Sequence, residues 1–421
     1  MLQKLSTDTV RSDIETLAGF HNPNKPGFTR RAFTEEDQEA RRWLCSQMEG
    51  AGLNVRTDAM ANLIGLLPGV RPELPVIMIG SHADTVNSGG RFDGMVGVLA
   101  GIEIARLLKQ AGTRLHHSLE IVDFTSEEPS DFGLSTIGSR GMAGELHDND
   151  MLRTDQSGRT LSDAVCALGG KRDFHLARRK RGEIALYLEL HIEQGPVLEQ
   201  KGCKLGVVTG IVGIHRYRVT VNGRQNHAGT TPMGLRQDAL TGAGELILLL
   251  EKLCREKEDC MVGTVGKLSV EPNAANVIPG HCMFEFEIRS LHTDIMEKLS
   301  TEFILQSERI AQERGLEITF DPLSKSVPLQ VRNDLQTVMW ESCEKVASTM
   351  CLHSGAGHDA NHIGRIAPMA MLFVPSKDGE SHCPEEYTAY EDITAGVQAL
   401  LNALLTFDEM VELKHAEKAE L

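Results

Sequence analysis

The sequence is short of positive charge, and this shortage excludes one class of function. Its 421 residues contain 43 lysines and arginines against 59 aspartates and glutamates, which gives a formal net charge of −16 at pH 7. A protein that binds nucleic acid needs a clustered positive field to attract the phosphate backbone. We therefore expect no nucleic acid among the partners of this chain.

Long apolar runs and paired cysteines are also missing. No apolar stretch reaches the roughly 18 residues of a membrane-spanning helix, and acidic residues interrupt the N-terminal segment where a signal peptide would be apolar. The nine cysteines are odd in number and scattered, with no CxxC pair. Because disulfide frameworks use even numbers of cysteines, a reducing compartment fits better. The sequence predicts a cytoplasmic protein without membrane insertion or secretion.

Apolar runs of strand length alternate with amphipathic helical runs in the first and last parts of the chain. This alternation is typical of an α/β fold in which helices cover a sheet. The clearest predicted strands are residues 76–80, 118–124, 184–190, 204–212 and 369–375. The clearest predicted helices are residues 97–112, 333–348 and 392–407.

The pattern changes between these two parts. The predicted elements there are strand 215–223, helix 239–257, strands 262–270 and 281–290, helix 294–315 and strand 316–320. This β-α-β-β-α-β order is the split βαβ signature of a compact sheet with two helices on one face. We therefore predict a discontinuous catalytic domain with a mixed sheet (residues 1–212 and 329–421) and an inserted α+β lid or dimerisation domain (residues 213–328).

Ionisable residues follow four of the predicted core strands. They are His82, Asp84 and Asp93 after the first, Glu127 and Glu128 after the second, His191 and Glu193 after the third, and His382 after the last. Imidazole nitrogens and carboxylate oxygens are the ligands that zinc and neighbouring divalent ions prefer. One carboxylate can bridge two such ions, so five ligands would serve two metals. In the Glu127–Glu128 pair, one carboxylate can bind metal while its neighbour stays free as a general base.

Several segments together resemble a known family. They are GSHADTVNSGGRFDG (80–94), the paired glutamates, LHIEQGP (190–196), NHAGTTPM (226–233) and SHCPEE (381–386). They look like the dinuclear zinc amidohydrolases of the M20 peptidase clan, in the branch of N-carbamoyl-L-amino-acid hydrolases, β-ureidopropionases and allantoate amidohydrolases. The resemblance covers nearly the whole chain. Simple dipeptidases and aminoacylases of the clan usually carry an acidic residue where His191 stands.

The resemblance implies how two metal ions would be held. His82 and His191 would bind one ion, Glu128 and His382 would bind the other, and Asp93 would bridge them. Zinc is the implied metal, but manganese, cobalt and nickel accept the same ligand types.

The resemblance also implies two residues that assist the metals. Asp84 would accept the second ring N–H of His82 and so fix its tautomer, or, in a structural reading, it would only cap a loop. Glu127 would take a proton from the bridging water and pass it to the leaving nitrogen.

Substrate contacts are implied mainly in the inserted domain. His227 would reach across a dimer interface to stabilise an oxyanion, while Asn276 and Arg289 would hold a substrate carboxylate, for which the planar guanidinium is suited. The remaining candidates are Gln194 near the metal ligands and Gly357, His358 and Asp359 in the GAGHDA segment (355–360).

The implied function is hydrolysis of a linear C–N amide bond in a ureido (N-carbamoyl) group of a small carboxylated substrate by a homodimer. Two alternatives stay open: an aminoacylase or dipeptidase with the same machinery, and a catalytically silent binding protein of the same fold. Pro129 and Asp131 stand where related chains often have glycine and a basic residue. An acid at that place leaves the substrate subclass open.

Overall fold

The chain divides into two compact units. The structure, a computed structural model, describes residues 5–257 and 261–419, with side chains described up to residue 410. The first unit comprises Met1–Thr209, Val331–Leu352 and Ala356–Leu421, and the second comprises Gly210–Gln330 with His353–Gly355. The sequence places the inserted domain at 213–328, which differs from the second unit by a few residues at each boundary and by the segment 353–355.

The helices and strands are numbered in chain order within the described residues. The strands are β1 (Asn54–Thr57), β2 (Leu63–Leu67), β3 (Val76–His82), β4 (Leu119–Phe124), β5 (Ile184–Ile192), β6 (Leu205–Ile211), β7 (Gly213–Asn222), β8 (Asn226–His227), β9 (Met261–Glu271), β10 (Val277–Ile278), β11 (His281–Ser290), β12 (Glu317–Lys325), β13 (Leu329–Gln330), β14 (Thr349–Ser354) and β15 (Met369–Val374). The α-helices are α1 (Thr7–Gly19), α2 (Glu35–Gly50), α3 (Met95–Ala111), α4 (Ile137–Ala143), α5 (Asp148–Met151), α6 (Leu161–Ala167), α7 (Val197–Lys201), α8 (Ala239–Arg255), α9 (Thr293–Arg314), α10 (Asn333–Glu344), α11 (Ala360–Ile363) and α12 (Tyr390–Ala419).

The first unit is built on a mixed sheet. Its strands run in the order β1-β2-β4-β3-β5-β15-β6. The central strands β4, β3, β5 and β15 are parallel to one another, whereas β1, β2 and β6 pair with their neighbours in antiparallel fashion. Helices α3 and α12 pack on the central strands. Every residue of β4 and of the apolar strand β15 is buried, as expected for central strands covered by helices. The predicted α/β fold with a mixed sheet is confirmed.

The second unit is a four-stranded antiparallel sheet in the order β12-β7-β11-β9, with α8 and α9 packed on it. Along the chain these elements follow the order β7, α8, β9, β11, α9, β12, which is the predicted β-α-β-β-α-β arrangement. Alternate residues of β11 are buried, and Phe284, Phe286 and Ile288 enter a core that includes Phe303 of α9. The period of two in the sequence thus marks the covered face of this sheet.

The structure bears on two expectations, the absence of a membrane-spanning helix and the absence of disulfide bonds, only within the described residues. Within the described residues, no helix combines the length and the apolar character needed to cross a bilayer. Eight of the nine cysteines are free thiols, and Cys260 lies outside the described residues.

Candidate metal centre

The candidate metal ligands lie at the edge of the first unit's sheet where the parallel strands have their carboxyl ends. His82 is the last residue of β3, and His191 is the last but one of β5. Asp93 lies just before α3, Glu128 follows β4, and His382 lies between β15 and α12. Because the carboxyl ends of neighbouring parallel strands meet at the same edge, residues far apart in the sequence are brought together.

One group of possible ligands is formed by His82, Asp93 and His191, which are all buried and whose ligand atoms lie within 4.8 Å of one another. The Nδ1 atoms of both imidazoles point at backbone carbonyls, that of Asp84 at 3.0 Å for His82 and that of Ile192 at 2.9 Å for His191. Each Nδ1–H therefore donates to a carbonyl, which leaves Nε2 as the free electron-pair donor.

The backbone beside His82 has no room for a side chain. Gly94 has φ +68°, and a Cβ atom added there would lie 2.3 Å from the His82 ring. Such an approach is closed to any other residue, so glycine at this place is what lets the loop of Asp93 pass close to the imidazole.

The contacts of Asp84 agree with the loop-capping reading and not with the reading in which its carboxylate accepts the His82 ring N–H. The backbone carbonyl of Asp84, not its carboxylate, receives the His82 ring N–H, and the carboxylate Oδ1 lies 3.6 Å from Nδ1. The two carboxylate oxygens instead accept the backbone N–H groups of Glu127 and Glu128 at 3.1 and 3.2 Å. Asp84 thus ties the end of β3 to the loop that follows β4.

A second group is formed by Asp93, Glu128 and His382, again with ligand atoms within 4.8 Å of one another. His382 Nε2 lies 3.1 Å from Asp93 Oδ2 and 3.4 Å from Glu128 Oε1. The His382 side chain is 50% exposed, whereas those of His82 and His191 are 3% and 1% exposed. The second group therefore faces the solvent and the first does not.

Asp93 belongs to both groups. Its Oδ1 lies 3.2 Å from His191 Nε2, and its Oδ2 lies 3.1 Å from His382 Nε2. One carboxylate oxygen is thus turned to each group, which is the arrangement that a bridging ligand requires.

Glu127 lies beside the first group without being part of it. Its Oε2 is 3.7 Å from His82 Nε2, and its side chain is 13% exposed. Burial raises the pKa of Glu127 well above its ordinary value, and the charge of the adjacent Glu128 raises it further. A carboxylate with a raised pKa beside a metal group is suited to accept and return a proton.

Burial disfavours the charged forms of several ionisable side chains in the pocket. Burial raises the pKa of Glu128 to about 9, with the charge of Asp93 as the second cause. Burial likewise raises the pKa of Asp84 to about 8 and lowers the pKa of His82 to about 4. The pKa of His382 rises to about 9, chiefly through its hydrogen bond to Asp93. Crowded carboxylates of this kind lack a compensating positive charge, which a divalent cation would supply.

His191 supplies an independent indication of a cation. Its Nε2 atom is buried and makes no hydrogen bond within the described residues. A polar atom shielded from water and left unpaired costs free energy. The combination of imidazole nitrogens and carboxylate oxygens suits zinc and related ions. The site therefore fits a metal cofactor.

Gln194 contacts the shared carboxylate directly. Its Nε2 donates to both oxygens of Asp93, at 3.1 and 3.0 Å, and lies 3.3 Å from His382 Nε2. The backbone of Gln194 has φ +58°, outside the region that L residues favour, and its N–H donates to Ser376 Oγ. Strain at such a position indicates a side chain that the surrounding structure holds in place.

The GAGHDA segment also reaches this edge. The rings of His358 and His191 lie with their centroids 4.5 Å apart, and a ligand atom of Glu189 lies within 4.8 Å of both. Burial lowers the pKa of His358 well below its ordinary value, so this imidazole is neutral. No described atom lies within 4 Å of the place where a Gly357 side chain would begin, which leaves that backbone open to a ligand. Asp359 is fully buried, and burial raises its pKa strongly.

Comparison with known proteins decides the family. The family model described as Peptidase family M20/M25/M40 matches residues 78–406. The chain belongs to this family. It is 36% identical over 410 residues to an N-carbamoyl-L-amino-acid amidohydrolase of Paenarthrobacter aurescens, covering 97% of this chain and 99% of that protein. It is 38% identical over 412 residues to an allantoate amidohydrolase of Bacillus subtilis (strain 168), covering 96% and 98%.

Solved structures agree with these relatives. A crystal structure of an amidase of the hydantoinase/carbamoylase family from Burkholderia multivorans matches with a TM-score of 0.91 and 32% sequence identity, and covers 96% of this chain and 98% of that one. The fold of this M20 family member is therefore shared over almost its whole length.

The second unit of this family member carries the other candidates. His227 on β8 is exposed and lies opposite Val277 of β10, and Ala228 N–H donates to the Asn276 carbonyl at 3.1 Å. His227 Nδ1 accepts the backbone N–H groups of Gly229 and Thr230 at 3.0 and 3.2 Å. The structure thus brings His227 and Asn276 together and leaves the Nε2 of His227 to carry the ring proton.

Arg289 on β11 is already engaged by two acceptors. Its Nε and Nη2 lie 2.7 and 2.6 Å from Glu287 Oε1, and its Nη1 donates to the Gly355 carbonyl at 2.7 Å. Arg216 Nε also donates to Glu287, at 2.7 Å. Three of the five guanidinium N–H groups are fixed in this way, so the orientation of Arg289 is set before any ligand arrives.

Three buried residues at the metal edge, Arg30, Glu189 and Glu386, are not predicted from the sequence. Glu189 accepts bonds from Ser81 and Tyr187 at 2.7 and 2.9 Å, and its signal was a carboxylate inside an otherwise apolar strand. Glu386 is the last residue of SHCPEE, and only its nearness to His382 pointed to it. Arg30 is fully buried and donates to the carbonyl of Ala83, between His82 and Asp84, and no sequence pattern marks it.

Arg31 contacts both Pro129 and Asp131, the two residues at which this sequence differs from related chains. Asp131 Oδ1 lies 2.9 Å from Arg31 Nη2, and the same nitrogen donates to the Pro129 carbonyl at 3.2 Å. The acidic charge that the sequence places after the paired glutamates is therefore balanced by Arg31.

Proposed function

We propose that this chain is a metal-dependent amidohydrolase that cleaves a linear C–N amide bond in a ureido (N-carbamoyl) group of a small carboxylated substrate. An N-carbamoyl-L-amino acid or allantoate would be such a substrate, and ammonia and carbon dioxide would be released. The relatives named above are an N-carbamoyl-L-amino-acid amidohydrolase and an allantoate amidohydrolase, and both are covered almost completely. They favour ureido substrates over the substrates of an aminoacylase or a dipeptidase.

The observation that carries the proposal is the position of Asp93 between two groups of ligands. One of its oxygens lies 3.2 Å from His191 Nε2 and the other 3.1 Å from His382 Nε2. We propose two divalent ions per subunit, one held by His82 and His191, the other by Glu128 and His382, with Asp93 shared. We propose zinc as the metal, and manganese, cobalt or nickel would bind through the same atoms.

Metal ions bound there would polarise the ureido carbonyl and make the attacking water more acidic. Glu127 would accept the proton from that water and deliver it to the leaving nitrogen, a task for which its raised pKa is suited. Asp84 would act by position, because its carboxylate holds the N–H groups of Glu127 and Glu128. His82 and His191 keep Nε2 directed at the site through their Nδ1–H bonds to carbonyls.

The residues of the second unit are proposed to act on the substrate. His227 has its Nδ1 occupied by two backbone N–H groups, so its Nε2–H is available to donate to a developing oxyanion. We propose that Arg289 and Asn276 bind the substrate carboxylate. In the proposed homodimer, His227 of the partner subunit completes the site. Gln194, Gly357 and His358 would contact the substrate near the metals.

The cytoplasmic location rests on the scattered cysteines and stays a prediction. The eight described cysteines are unpaired, which accords with a reducing compartment.

The decisive experiment is a hydrolysis assay that follows ammonia release from allantoate, β-ureidopropionate and several N-carbamoyl-L-amino acids, and the release of a free α-amino group from an N-acetyl amino acid and a dipeptide. We expect turnover of at least one ureido substrate, its loss on chelation and its return when zinc or manganese is added. Turnover of only the N-acetyl amino acid or the dipeptide would overturn the substrate class. Ureido turnover that survives complete removal of metal would overturn the mechanism.

A further inference from the structure

Glu386 links the two loops that carry Asp93 and His382. Its side chain is buried, with the residue only 2% exposed. Glu386 Oε1 accepts the backbone N–H groups of Phe92 and Asp93 at 2.9 and 3.1 Å. Glu386 Oε2 accepts the hydroxyl of Ser381 at 2.9 Å. The two oxygens of one carboxylate are thus bonded to the neighbouring backbone of one ligand and to the residue next to another.

The loop of Asp93 is shaped to receive this carboxylate. A Cβ atom added to Gly90 would lie 2.2 Å from Glu386 Oε1, so only glycine leaves space for it. The accepted N–H groups lie just before the N-cap Gly94 of α3, outside the helix, so the hydrogen bonds of the helix do not satisfy them. Glu386 therefore satisfies donors that would otherwise be buried without a partner, and it fixes the path of the backbone on either side of Asp93.

The loop of His382 is held from the same point. His382 has φ +58°, which is unfavourable for a residue with a side chain. Ser381 precedes it and is bonded to Glu386 Oε2, and Glu386 N–H donates to the Cys383 carbonyl at 3.2 Å. A strained conformation persists only where its surroundings hold it, and here Glu386 bonds on both sides of His382.

We propose that Glu386 is a positioning residue that sets the separation between Asp93 and His382, and thereby the metal affinity of the second ligand group. The inference rests on the proposed function, because it assumes that these two side chains bind metal. It assigns to Glu386 no contact with the metal or the substrate. Glu386 acts through the length of its side chain, because its two oxygens must bond to both loops at once. Its negative charge is not what positions the loops.

Reach and charge are separated by two conservative variants. Glu386→Gln keeps the length of the side chain: its carbonyl oxygen can accept the two N–H groups, and its amide can donate to the Ser381 hydroxyl. Glu386→Asp keeps the carboxylate but is one methylene shorter, so it cannot reach both loops. Glu385→Ala is the matched control, because Glu385 is the exposed neighbour of Glu386.

The measurement is zinc binding by the folded, metal-free proteins in competition with a chromophoric chelator, with the fold checked by circular dichroism. Residues that orient metal ligands typically contribute about 10- to 100-fold to metal affinity. We expect Glu386→Asp to weaken the binding of one of the two ions by this factor, and Glu386→Gln and Glu385→Ala to bind like the unchanged protein. At saturating substrate and low zinc, kcat should likewise fall in Glu386→Asp and stay near that of the unchanged protein in Glu386→Gln and Glu385→Ala, with little change in KM.

Each outcome bears on the proposal. Unchanged zinc binding in Glu386→Asp would overturn it, and so would a loss in Glu386→Gln with none in Glu386→Asp, since charge would then be the cause. If a variant fails to fold, the milder Ser381→Ala decides, because it removes a single bond: weaker binding of one ion supports the proposal and unchanged binding overturns it. Failure of the unchanged protein to bind zinc would instead overturn the proposed function.

Discussion

The two units of this chain place their candidate functional residues in opposite surroundings. In the first unit, His82, His191 and Asp93 are buried at the edge where the parallel strands of the mixed sheet end. In the second unit, His227 is exposed, and Arg289 is paired with Glu287 on an antiparallel sheet. The first set therefore lies in a place of low dielectric constant, and His227 of the second set lies at the solvent-exposed surface.

The difference predicts two kinds of mutational effect. Substitution of a proposed metal ligand in the first unit should change metal content and turnover together, because metal binding depends on the complete ligand set. Substitutions in the second unit should leave metal content unchanged and act on the substrate alone.

The largest effect is expected from Asp93→Asn. Metal ions contribute several kcal/mol to the transition state and each 1.36 kcal/mol is tenfold in rate, so loss of the shared carboxylate should lower kcat/KM at least about a thousandfold. Elemental analysis should find both ions depleted. Asp131→Asn is the matched control, because Asp131 is an exposed aspartate paired with Arg31. Full zinc content in Asp93→Asn would remove the basis for a bridging role.

Glu127→Gln should separate proton transfer from metal binding. General bases typically contribute about 10²–10⁴ to the rate, so kcat should fall by that factor. Metal content should stay at the level of the unchanged protein, because Glu127 belongs to neither ligand group. If turnover stayed within about tenfold of the unchanged protein, Glu127 would not be the general base, since the expected range would be missed.

Arg289→Lys tests the second unit. Lysine keeps the charge but lacks the planar fork, and hydrogen bonds to charged groups are worth about 1.5–3 kcal/mol. We therefore expect KM for a carboxylated ureido substrate to rise about 10- to 100-fold while kcat changes little. Zinc content should be unchanged. A loss of zinc in this variant would contradict the division of roles between the two units.

The pH dependence of stability tests the charge balance of the first unit. In the metal-free protein, the pKa of Glu128 is raised from 4.5 to about 9 and that of Asp84 from 3.8 to about 8, so the folded state binds more protons than the unfolded state. His382, raised to about 9, acts in the same direction, and His82, lowered to about 4, opposes it only below its ordinary pKa of 6.5. Stability contributed by a raised pKa is full below the unfolded value and is lost as pH rises towards the folded value.

We therefore expect the melting temperature of the metal-free protein to fall between pH 7 and pH 9, as followed by scanning calorimetry. Bound zinc should flatten this slope because it replaces the missing positive charge. Glu128→Gln should flatten it in part without metal. A melting temperature that rises over this range in the metal-free protein would show that the buried carboxylates are already compensated.

The smallest effect is expected from Asp131. Its pairing with Arg31 is exposed, and exposed ion pairs contribute about 0–1 kcal/mol. Asp131→Asn should therefore change kcat/KM for an anionic substrate by less than about fivefold, since 1.4 kcal/mol corresponds to tenfold. A larger gain would mean that Asp131 repels the substrate despite its partner.

Patterns along the sequence predicted the elements better than the contacts between them. The period of two in β11 and the apolar runs of β3 and β15 place these strands within a residue or two of their observed ends, because burial on one or both faces dictates the side chains. Strand ends then pointed to His82 and His191. Short elements such as α5 and β13 carry too few residues to show a period.

Contacts that depend on the path of the backbone could not be predicted. Glu386 bonds to N–H groups 293 and 294 residues away, and nothing in SHCPEE indicates these partners. For Asp84 the sequence left two readings open, a carboxylate on the His82 ring or a loop cap, and only the structure shows that the carbonyl contacts the ring while the carboxylate caps the loop. Arg30 donates to the backbone carbonyls of Ala83 and Leu17. Because every residue has a backbone carbonyl, the sequence does not indicate which ones Arg30 contacts.

The unequal exposure of the histidines has a kinetic consequence. His382 is half exposed, whereas His82 and His191 are closed off from solvent. If the two proposed ions are present, a competing chelator reaches the outer one first, and the inner one leaves only after the edge has opened. Removal should then proceed in a fast and a slow phase, and a half-loaded enzyme should accumulate between them.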